Sequence, residues 1–302
     1  IRLFEHGAPG SQNLKLTRKY YTEDMPDGRV KHIVQNITDP DIVPYIPDGI
    51  GNSTDRQRIP AVLIIPGGAF RRLVYNFEGE DVAKWLNSMG IAAFVLECRL
   101  PSDEHDNAED VPLIDAMRAM RVIRGRAREF GIDEAKIGVM GFSAGGFMAA
   151  LLSTAYESDV YAGYKYKDEY DKLSARPDFA VCSYPVISID DCIEAGKRYM
   201  SEEQVLERIS DSKAKILHKY NPDKLVRPDM PPVFICETDD DRTTLSENSV
   251  GFYMAARKAG VSAELHIFRT GGHGYGCGDD FAQTGEWKVL FTKWIKSIGI
   301  IS

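Results

Sequence analysis

Short apolar runs that alternate with helical stretches constrain the fold of this chain more than any other feature. Several runs are apolar at consecutive positions, so both faces are hydrophobic, as in a parallel strand covered by helices on each side. The runs are AVLIIP, IAAFVLE, KIGVMG, DFAVCSYP, PVFICE and AELHIF, and the helical patterns fall at about 77–89, 109–130, 144–155, 201–220, 245–259 and 284–298. The alternation predicts an α/β fold with a doubly wound, mostly parallel sheet.

Two runs near the start, LKLTRKY and KHIVQNIT, alternate between polar and apolar residues instead. Such alternation is typical of strands with one face in water, and it predicts antiparallel leading strands. Neither an internal repeat nor a low-complexity linker divides the 302 residues. We therefore predict a single domain over residues 1–302.

The segment 154–178 is the main irregular insertion in this pattern. It reads TAYESDVYAGYKYKDEYDKLSARPD and carries five tyrosines among its charges. Aromatic faces suit the apolar face of a pyranose, so the segment is a candidate sugar-stacking wall. A packed lid or an oligomer contact explains the same composition, and the sequence leaves both this role and the oligomeric state open.

The net charge of the chain indicates which classes of binding partner are unfavourable. The chain has 37 Lys and Arg against 45 Asp and Glu, a formal net charge of −8, which disfavours nucleic acid or an anionic membrane as the main partner. The stretch RAMRVIRGRAR is locally basic, but apolar residues recur around it at spacings of three and four, which predicts an amphipathic helix whose arginines face water. The apolar positions are Leu113, Ala116, Met120, Ile123, Ala127 and Phe130, and the arginines are Arg118, Arg121, Arg124, Arg126 and Arg128.

The five cysteines are odd in number and contain no C-x-x-C pair, which argues against a zinc ribbon and a dithiol redox site. Cys98, Cys182 and Cys236 lie in or at the end of apolar runs and are expected to be buried thiols. No apolar stretch approaches the roughly 20 residues needed to cross a bilayer, and none has the pattern of a signal peptide. We expect no membrane partner, and the sequence leaves a cytoplasmic or a secreted location open.

A strand, a tight turn and a helix follow one another from residue 136. The strand KIGVM runs into GFSAGGF and then into an Ala- and Leu-rich helix. Gly141-Phe142-Ser143-Ala144-Gly145 therefore matches G-x-S-x-G in the strand–turn–helix context that this motif requires. In that turn the serine has a strained backbone, and a Cβ at either glycine would collide with the neighbouring strand or helix. We predict Ser143 as a nucleophile; a glycine turn with an incidental serine is the alternative.

A serine nucleophile needs a base within hydrogen-bond reach, and in this architecture the partners follow in the order Ser, then Asp or Glu, then His. Only His266 and His273 follow an acidic residue placed after a late strand. His266 alternates with apolar neighbours inside AELHIF, so we interpret it as an ordinary strand residue. His273 lies in TGGHGYG, just past the strand end, where active-site loops of open α/β sheets gather. We predict His273 as the base.

The acid is expected in ETDDDRTT, which follows PVFIC. Thr244-Leu245-Ser246-Glu247 fits a capping box, so the next helix is predicted to begin near Thr244 and the carboxylates to lie in the loop before it. Because sequential strands in such sheets are often neighbours, this loop should lie close to His273. Spacing alone does not choose among Asp239, Asp240 and Asp241.

The stretch PGGAF follows AVLII, at the position where lipases and esterases carry an HGGG-type loop. A tetrahedral intermediate needs backbone N–H donors aimed at its oxyanion. We predict Gly68 and Ala69, together with Ala144, as these donors. The candidate substrate-binding residues are Phe70, Arg71, Tyr75 and Tyr275.

In combination, these motifs resemble an α/β-hydrolase of the acetylxylan-esterase-like branch of the esterase/lipase group. The matching stretches extend over most of the chain from about residue 60 onward, and IRLFEHGAPG resembles the family's opening. They include PGGAFRRLVYNFEGEDVAKWLNSMGIAAFVLECRLP, IGVMGFSAGGFMAA, RPDFAVCSYPVIS, PPVFICETDDD, SENS and GGHGYG. The resemblance implies the α/β-hydrolase fold, with Ser143 as nucleophile, His273 as base and an aspartate of 239–241 as the acid that orients it.

Alignment with the family selects one aspartate. Setting Glu247-Asn248-Ser249 against the family's Glu-Asn-Ser places the family's acid at Asp241, with Arg242 in place of its usual proline. The chain departs from the family in two stretches. Glu237 stands where members often have His, and IDDCIEAGKRYM lacks the usual His-Ser-Gly-type motif. Both departures bear on substrate fit.

The resemblance implies a serine esterase that removes acetyl groups from a sugar or an oligosaccharide and needs no metal or cofactor. A feruloyl or other short-acyl esterase uses the same chemistry and is the nearest alternative. From another class, a non-catalytic ligand-binding protein on a hydrolase scaffold is disfavoured because all three residue types are present in order. A metal-dependent hydrolase is disfavoured because neither His-x-His nor H-E-x-x-H accompanies the aspartates.

Overall fold

A computed structural model describes residues 1–49, 58–201, 203–205, 212–278 and 282–302 of the chain. Its strands are β1 (Lys19–Asp24), β2 (Val30–Gln35), β3 (Asp41–Tyr45), β4 (Ile59–Ile65), β5 (Leu73–Val74), β6 (Ala92–Glu97), β7 (Ile132–Phe142), β8 (Ala180–Ser183), β9 (Val233–Thr238) and β10 (Ala263–Phe268). Its α-helices include α1 (Asp81–Ser88), α2 (Val111–Gly125), α3 (Ala127–Phe130), α4 (Ala144–Ala155), α5 (Ile189–Tyr199), α6 (Ser212–Lys219), α7 (Ser246–Lys258) and α8 (Ala282–Ser297). A π-helix occupies Asn76–Glu80, and short 3₁₀ helices occupy Pro101–Asp103, Glu169–Lys172 and Pro222–Lys224.

The main sheet has seven strands in the order β10-β9-β8-β7-β4-β6-β3. Its first six strands are parallel, and β3 pairs antiparallel with β6 at one edge. From β4 the chain continues to β6 on one side, whereas from β7 it continues to β8 on the other. The loops that follow β4 and β7 therefore diverge, which opens a crevice at the carboxyl ends of these two neighbours. The predicted α/β fold with a mostly parallel sheet is confirmed.

The predicted antiparallel leading strands are present, although they form a sheet separate from the main one. β1 and β2 pair antiparallel, but together with β5 they form a separate three-stranded sheet. The antiparallel strand that leads into the main sheet is β3, a short strand of sequence DIVPY that the sequence analysis did not identify. Five residues with a proline near the end give too little alternation to stand out as a strand.

Helices cover both faces of the main sheet. Along β4, Ala61, Leu63 and Ile65 pack into a core shared with α2, α4 and α7, whereas Val62 and Ile64 pack into a second core with α1 and α8. This explains why the β4 run is apolar at every position. The helix α4 is also buried over almost its whole length, because it lies between the sheet and α2.

Two predicted helices differ from the structure, and a third is described only in part. The helix predicted at 77–89 begins as the π-helix and continues as α1, and the helix predicted at 109–130 is divided into α2 and α3. The prediction at 201–220 falls partly outside the described residues, and its described part contains α6. The helix α5 was not predicted, although Ser188 caps it by accepting a hydrogen bond from the Asp190 N–H (3.1 Å).

The prediction that the arginines of α2 face water is wrong for Arg118. This side chain is buried, pairs with Asp168 and Asp171 and donates from Nε to the Leu3 carbonyl (2.9 Å). Arg124 likewise donates to the Arg176 carbonyl (2.9 Å). The Tyr-rich insertion, residues 154–178, thus packs along α2, and its carboxylates and carbonyls accept the arginine hydrogen bonds.

Cys98, Cys182 and Cys236 are buried, as predicted. Burial raises the pKa of the Cys236 thiol to about 12, so it remains protonated near neutral pH. None of the described helices is long and apolar enough to cross a bilayer. Nor do the residues within the described ranges include a group of three or more His, Cys, Asp or Glu side chains placed to hold a metal ion.

Candidate active site

Ser143 lies in the turn between β7 and α4, with φ 54° and ψ −118°. Its N–H donates to the Ser183 carbonyl at the end of β8 (3.0 Å), which holds the turn against the sheet. The two motif glycines are required by space. A Cβ at Gly141 would lie 1.9 Å from the Gly145 carbonyl oxygen, and one at Gly145 would lie 1.9 Å from the Ile65 carbonyl oxygen. The predicted strained turn is therefore present, and it projects Ser143 from the carboxyl end of β7.

The structure brings together the three side chains predicted for the site. Ser143 Oγ lies 2.8 Å from His273 Nε2, and His273 Nδ1 lies 2.7 Å from Asp241 Oδ2. Because a carboxylate accepts, the imidazole proton is assigned to Nδ1, which leaves Nε2 as the acceptor of the Ser143 hydroxyl proton. The three residues come from the loops after β7, β9 and β10.

Asp241 is 2% exposed and has several hydrogen-bond donors around it. Its Oδ1 accepts from the N–H groups of Thr243 (2.7 Å) and Thr244 (3.0 Å), and its Oδ2 accepts from the Thr244 hydroxyl (2.9 Å). Burial alone would raise the pKa of Asp241, but the hydrogen bond and charge of His273 and the two N–H donors outweigh it and lower that pKa. The carboxyl group is therefore ionised near neutral pH.

The β9 loop comprises residues 239–245. Its other two aspartates, Asp239 and Asp240, are exposed and make different hydrogen bonds. Asp240 Oδ1 accepts from the N–H groups of Gly271 (2.9 Å) and Gly272 (2.8 Å), immediately before His273. Asp239 contributes its backbone N–H to the Phe268 carbonyl at the end of β10 (2.8 Å). The run of three aspartates thus contains one residue bonded to the histidine ring, one bonded to the histidine loop and one that links the strand ends.

The capping box predicted at Thr244 is absent. The helix α7 begins at Ser246, and its N-cap residue is Leu245, which makes no side-chain capping bond. The Thr244 hydroxyl donates to Asp241 instead, and it also lies 3.2 Å from His273 Nδ1. Asp241 therefore competes successfully for the hydroxyl that the pattern assigns to the helix end.

The β4 loop, residues 66–72, approaches Ser143 most closely at Gly67. A Cβ at Gly67 would lie 2.9 Å from Ser143 Cβ, so the loop passes directly over the turn. In the described part of the chain, the N–H groups of Gly68 and Ala69 bond no acceptor, and neither does that of Ala144 at the first position of α4. Such free donors, next to a helix N-terminus, suit an oxygen that gains negative charge.

Sequence comparison assigns the chain to a family. The profile of the BD-FAE family matches residues 50–255, which is more than half of the chain. The chain belongs to the BD-FAE family.

Two curated relatives resemble this BD-FAE chain in sequence. An acetylxylan esterase from Xylanibacter ruminicola is 31% identical over 240 residues, which are 79% of this chain and 45% of that protein. The endo-1,4-beta-xylanase B of Butyrivibrio fibrisolvens is 31% identical over 227 residues, which are 75% of this chain and 34% of that protein. The chain thus spans less than half the length of each.

Solved structures match the BD-FAE chain over nearly its whole length. An acetyl ester-xyloside bifunctional hydrolase from Caldicellulosiruptor lactoaceticus has 34% identity and a TM-score of 0.71, covering 100% of this chain and 97% of that one. A thermophilic esterase from Thermogutta terrifontis, with propionate bound, shares the fold at 24% identity and a TM-score of 0.68, covering 97% and 96%. The predicted α/β-hydrolase fold and acetylxylan-esterase-like branch are confirmed.

Two of the predicted substrate-binding residues of the BD-FAE chain lie in the β4 loop. Phe70 is buried and packs edge-to-face on Phe147 of α4 (5.5 Å between ring centroids). It lines a cavity that also borders Ala144, the residue after Ser143. Arg71 is exposed, and its backbone carbonyl accepts from Gln35 Nε2 (3.1 Å). Phe70 is thus placed beside the turn, whereas Arg71 faces outward.

The other two predicted substrate-binding residues are engaged elsewhere. The Tyr75 hydroxyl lies 3.2 Å from that of Tyr45, on the edge strand β3, three strands away from β7. Tyr275 is buried and packs edge-to-face on Tyr184 (4.5 Å) within the core between the sheet and α8. Both rings thus contact other aromatic residues, and the assignment of Tyr75 and Tyr275 to substrate binding stays a prediction.

Sequence analysis missed two buried side chains that connect the loops of the BD-FAE site. Glu78, in the π-helix, accepts from the Gly67 N–H (2.9 Å) and from the Tyr184 hydroxyl (2.9 Å). Tyr184 follows β8, and its ring packs edge-to-face on His273 (5.1 Å between centroids). Glu78 stands among other acidic residues in NFEGED, so its local sequence does not mark it as a buried carboxyl group.

A third buried carboxyl group lies behind Asp241. Glu237, at the end of β9, is fully buried and accepts from the Thr238 N–H (2.9 Å) and the Ser249 hydroxyl (3.3 Å). Burial first, and then the negative charge of Asp241, raise the pKa of Glu237 well above its usual range. Of these two neighbouring acids, Glu237 therefore takes up a proton at a higher pH than Asp241 does.

Proposed function

We propose that this chain is a serine carboxylic ester hydrolase that removes acetyl groups from a sugar or an oligosaccharide. The observation that carries the proposal is the continuous hydrogen-bond path from Ser143 Oγ through His273 to Asp241, with spacings of 2.8 Å and 2.7 Å. The names of the relatives, an acetylxylan esterase and an acetyl ester-xyloside hydrolase, support the ester and sugar parts of the proposal.

In the proposed reaction, Ser143 Oγ attacks the ester carbonyl while His273 Nε2 takes its proton. Asp241 holds the imidazole with the proton on Nδ1 and stabilises the imidazolium that forms. His273 then gives its proton to the departing sugar hydroxyl, which leaves an acetyl group on Ser143. A water molecule, deprotonated by His273, releases acetate by the same route. Every proton is transferred through Nε2, and no step requires a metal or a cofactor.

The tetrahedral intermediate would place its negative oxygen among the N–H groups of Gly68, Ala69 and Ala144. The Ala144 N–H lies at the N-terminal end of α4, where the helix dipole favours negative charge. Removing a single donor of this kind typically costs about a hundredfold to a thousandfold in rate. The donors are on the backbone, so they are removed only by changing the loop that presents them.

A small apolar cavity supports the choice of an acetyl group. It lies between the β4 loop and α4 and is lined by apolar side chains, among them Phe70, Leu100 and Met148. Its volume of about 20 Å³ is enough for roughly one water-sized group, which is close to the size of a methyl. In our proposal this cavity receives the acyl methyl, and a longer chain has no room without moving Phe70 or Met148.

Replacing the nucleophile tests the chemistry. We expect Ser143→Ala to abolish hydrolysis of an aryl acetate while leaving the folded protein intact, and a serine-reactive phosphonate to label the wild type at Ser143 alone. Ser153→Ala is the matched control, since it removes a buried serine hydroxyl from the same helix that bonds only the Ala149 carbonyl. Full activity in the Ser143 variant would refute the proposal.

A panel of esters tests the substrate. We expect acetylated xylo-oligosaccharides to be hydrolysed faster than feruloyl esters, and aryl acetates faster than aryl octanoates. Met148→Ala should narrow the difference between acetate and octanoate by enlarging the cavity. If octanoates react faster than acetates in the wild type, the acetyl assignment is wrong although the serine chemistry remains.

A further inference from the structure

We propose that Glu78 is a positioning residue that fixes the β4 loop and ties it to the loop that carries His273. The inference rests on the proposed function, because the positioned groups are the N–H donors assigned to the oxyanion. It starts from the two hydrogen bonds of a carboxyl group that the reaction described above does not use.

Glu78 is 5% exposed and lies close to the reacting serine. A Cβ at Gly67 would lie 2.7 Å from Glu78 Oε2 and 2.9 Å from Ser143 Cβ. Gly67 therefore fills the narrow space between the carboxyl group and the nucleophile, and no side chain fits at position 67. Glu78 lies in the π-helix that precedes α1, and π-helical turns are frequent at functional sites.

The directions of the hydrogen bonds are fixed by the backbone donors at both ends. The Gly67 N–H donates to Glu78 Oε2 (2.9 Å), and the Gly276 N–H donates to the Tyr184 oxygen (3.0 Å). The Tyr184 proton is then free to go to Glu78 Oε1 (2.9 Å). Both carboxyl oxygens accept, which is the pattern of a carboxylate.

This path joins two loops that are far apart in sequence. One end is Gly67, whose carbonyl also accepts from the Val74 N–H (2.9 Å), so its peptide groups are held on both sides. The next N–H groups along the chain are those of Gly68 and Ala69. The other end is Gly276, three residues after His273. The relative position of the oxyanion donors and the base thus depends on Glu78.

Burying a carboxyl group is costly, so its partners must offset the penalty. Burial raises the pKa of Glu78, and the charge of His273, the Tyr184 hydroxyl and the Gly67 N–H lower it in part. Without the carboxyl group the Gly67 N–H would be buried with no acceptor. The loop would then turn this N–H elsewhere and misplace the two donors that follow.

The test uses Glu78→Ala, Glu78→Gln and Tyr184→Phe with an aryl acetate. We expect Glu78→Ala to lower kcat about a hundredfold, as for the loss of one oxyanion donor, with KM changed less than threefold. Glu78→Gln should recover at least tenfold of this loss, because its amide oxygen still accepts from Gly67. Tyr184→Phe should fall between them. The matched control is Glu80→Gln, which changes the same helix and disrupts only an ion pair with Lys84.

Phenylboronic acid, which forms a tetrahedral adduct with an active serine, supplies a readout that a purely structural role would not move. Its Ki should rise across the variants by the same factor as kcat/KM falls. A folded Glu78→Ala variant with kcat within threefold of the wild type would overturn the inference, as would a loss confined to KM with an unchanged Ki. If Glu78→Ala does not fold, Glu78→Gln and Tyr184→Phe decide by the same criteria.

Glycine-labelled ¹⁵N NMR separates this inference from the proposed function, because it needs no substrate. In the wild type the Gly67 amide proton should lie downfield, as expected for a bond to a carboxylate, and it should move upfield in Glu78→Gln. An unmoved Gly67 signal overturns the role of Glu78 even if the protein is a good esterase. If the wild type is inactive but shows the expected Gly67 shift, the proposed function is overturned. The role of Glu78 in holding the β4 loop is then still supported.

Discussion

The β4 loop and the β10 loop, residues 269–278, both follow parallel strands and are rich in glycine, yet they are held differently. In the β4 loop the glycines are required by space. A Cβ at Gly67 would lie 2.4 Å from the Phe142 carbonyl oxygen, and one at Gly68 would lie 2.1 Å from the Arg72 carbonyl oxygen. Contacts under 3.0 Å with backbone atoms leave no room for any other residue.

In the β10 loop the two glycines that flank His273 are required by backbone conformation, whereas Gly276 and Gly278 further along are also crowded by backbone atoms. Gly272 and Gly274 have open space where a Cβ would be, but their φ angles are +62° and +80°. This loop is tied down by side chains of β9 and the β9 loop: Asp240 accepts from two of its N–H groups, and the Thr238 hydroxyl donates to the Gly272 carbonyl (2.9 Å). The difference indicates that close packing fixes the proposed N–H donors. In contrast, hydrogen bonds to the residues just before His273 fix the position of this base.

The largest loss of activity is expected at Asp241, which is hydrogen-bonded to His273. Asp241→Asn replaces an acceptor of the His273 proton with an amide that can donate, so the imidazole would change tautomer and Nε2 would no longer accept from Ser143. We expect kcat to fall about ten-thousandfold, by analogy with the serine proteases. The measurement is aryl acetate turnover, and Asp239→Asn is the control. A collapse in the Asp239 variant with an active Asp241 variant would show that the wrong carboxylate had been assigned.

The next largest loss of activity is expected in the closely packed β4 loop. Gly67→Ala forces a Cβ against Phe142 and Ser143, so the β4 loop must move away from the nucleophile. We expect kcat/KM to fall by about a hundredfold to a thousandfold, equivalent to the loss of one donor. Gly163→Ala is the control, since its Cβ would meet nothing within 4 Å and no positive φ is involved. Equal activity in both variants would contradict the steric account of this loop.

A smaller effect is expected where Asp240 ties down the β10 loop. Asp240→Ala leaves the Gly271 and Gly272 N–H groups to water, since this end of the loop is exposed. Each such bond contributes about 1 kcal/mol, so we expect a decrease of roughly tenfold in kcat. Asp240→Asn keeps an oxygen at the same place and should stay within about threefold of the wild type. If both variants lose activity equally, charge rather than the hydrogen bonds must hold the loop.

The sequence predicted what depends on local geometry. The turn around Ser143 was recognisable because both motif glycines are required by contacts within one strand–turn–helix unit. His273 was identified from its loop and its order in the chain. Asp241 needed the resemblance to a family, because spacing does not distinguish three consecutive aspartates.

What the sequence did not reveal depends on contacts between distant segments. Glu78 meets Tyr184, 106 residues away, and no local pattern carries this information. Tyr75 and Tyr275 contact Tyr45 and Tyr184, which lie 30 and 91 residues away, and no local pattern predicts these contacts. At Thr244 the local capping pattern was present, and a buried carboxylate took its hydroxyl instead.

The smallest effect on turnover concerns Glu237, the buried carboxyl group behind Asp241. Its folded-state pKa is raised by burial and by Asp241, so the folded protein holds a proton that the unfolded chain releases above about pH 4.5. Stability should therefore fall as pH rises from about 4.5 toward the folded-state pKa, by about 1.4 kcal/mol for each pH unit in that window.

Glu237→Gln mimics the protonated form and keeps an oxygen for the Thr238 N–H. We expect it to match the wild type in urea unfolding at pH 4.5, to exceed it increasingly toward pH 8, and to retain near-normal kcat. Equal pH dependence of the unfolding midpoint in the two proteins would mean that Glu237 is ionised in the folded state, and that Asp241 shares its site with a second negative charge.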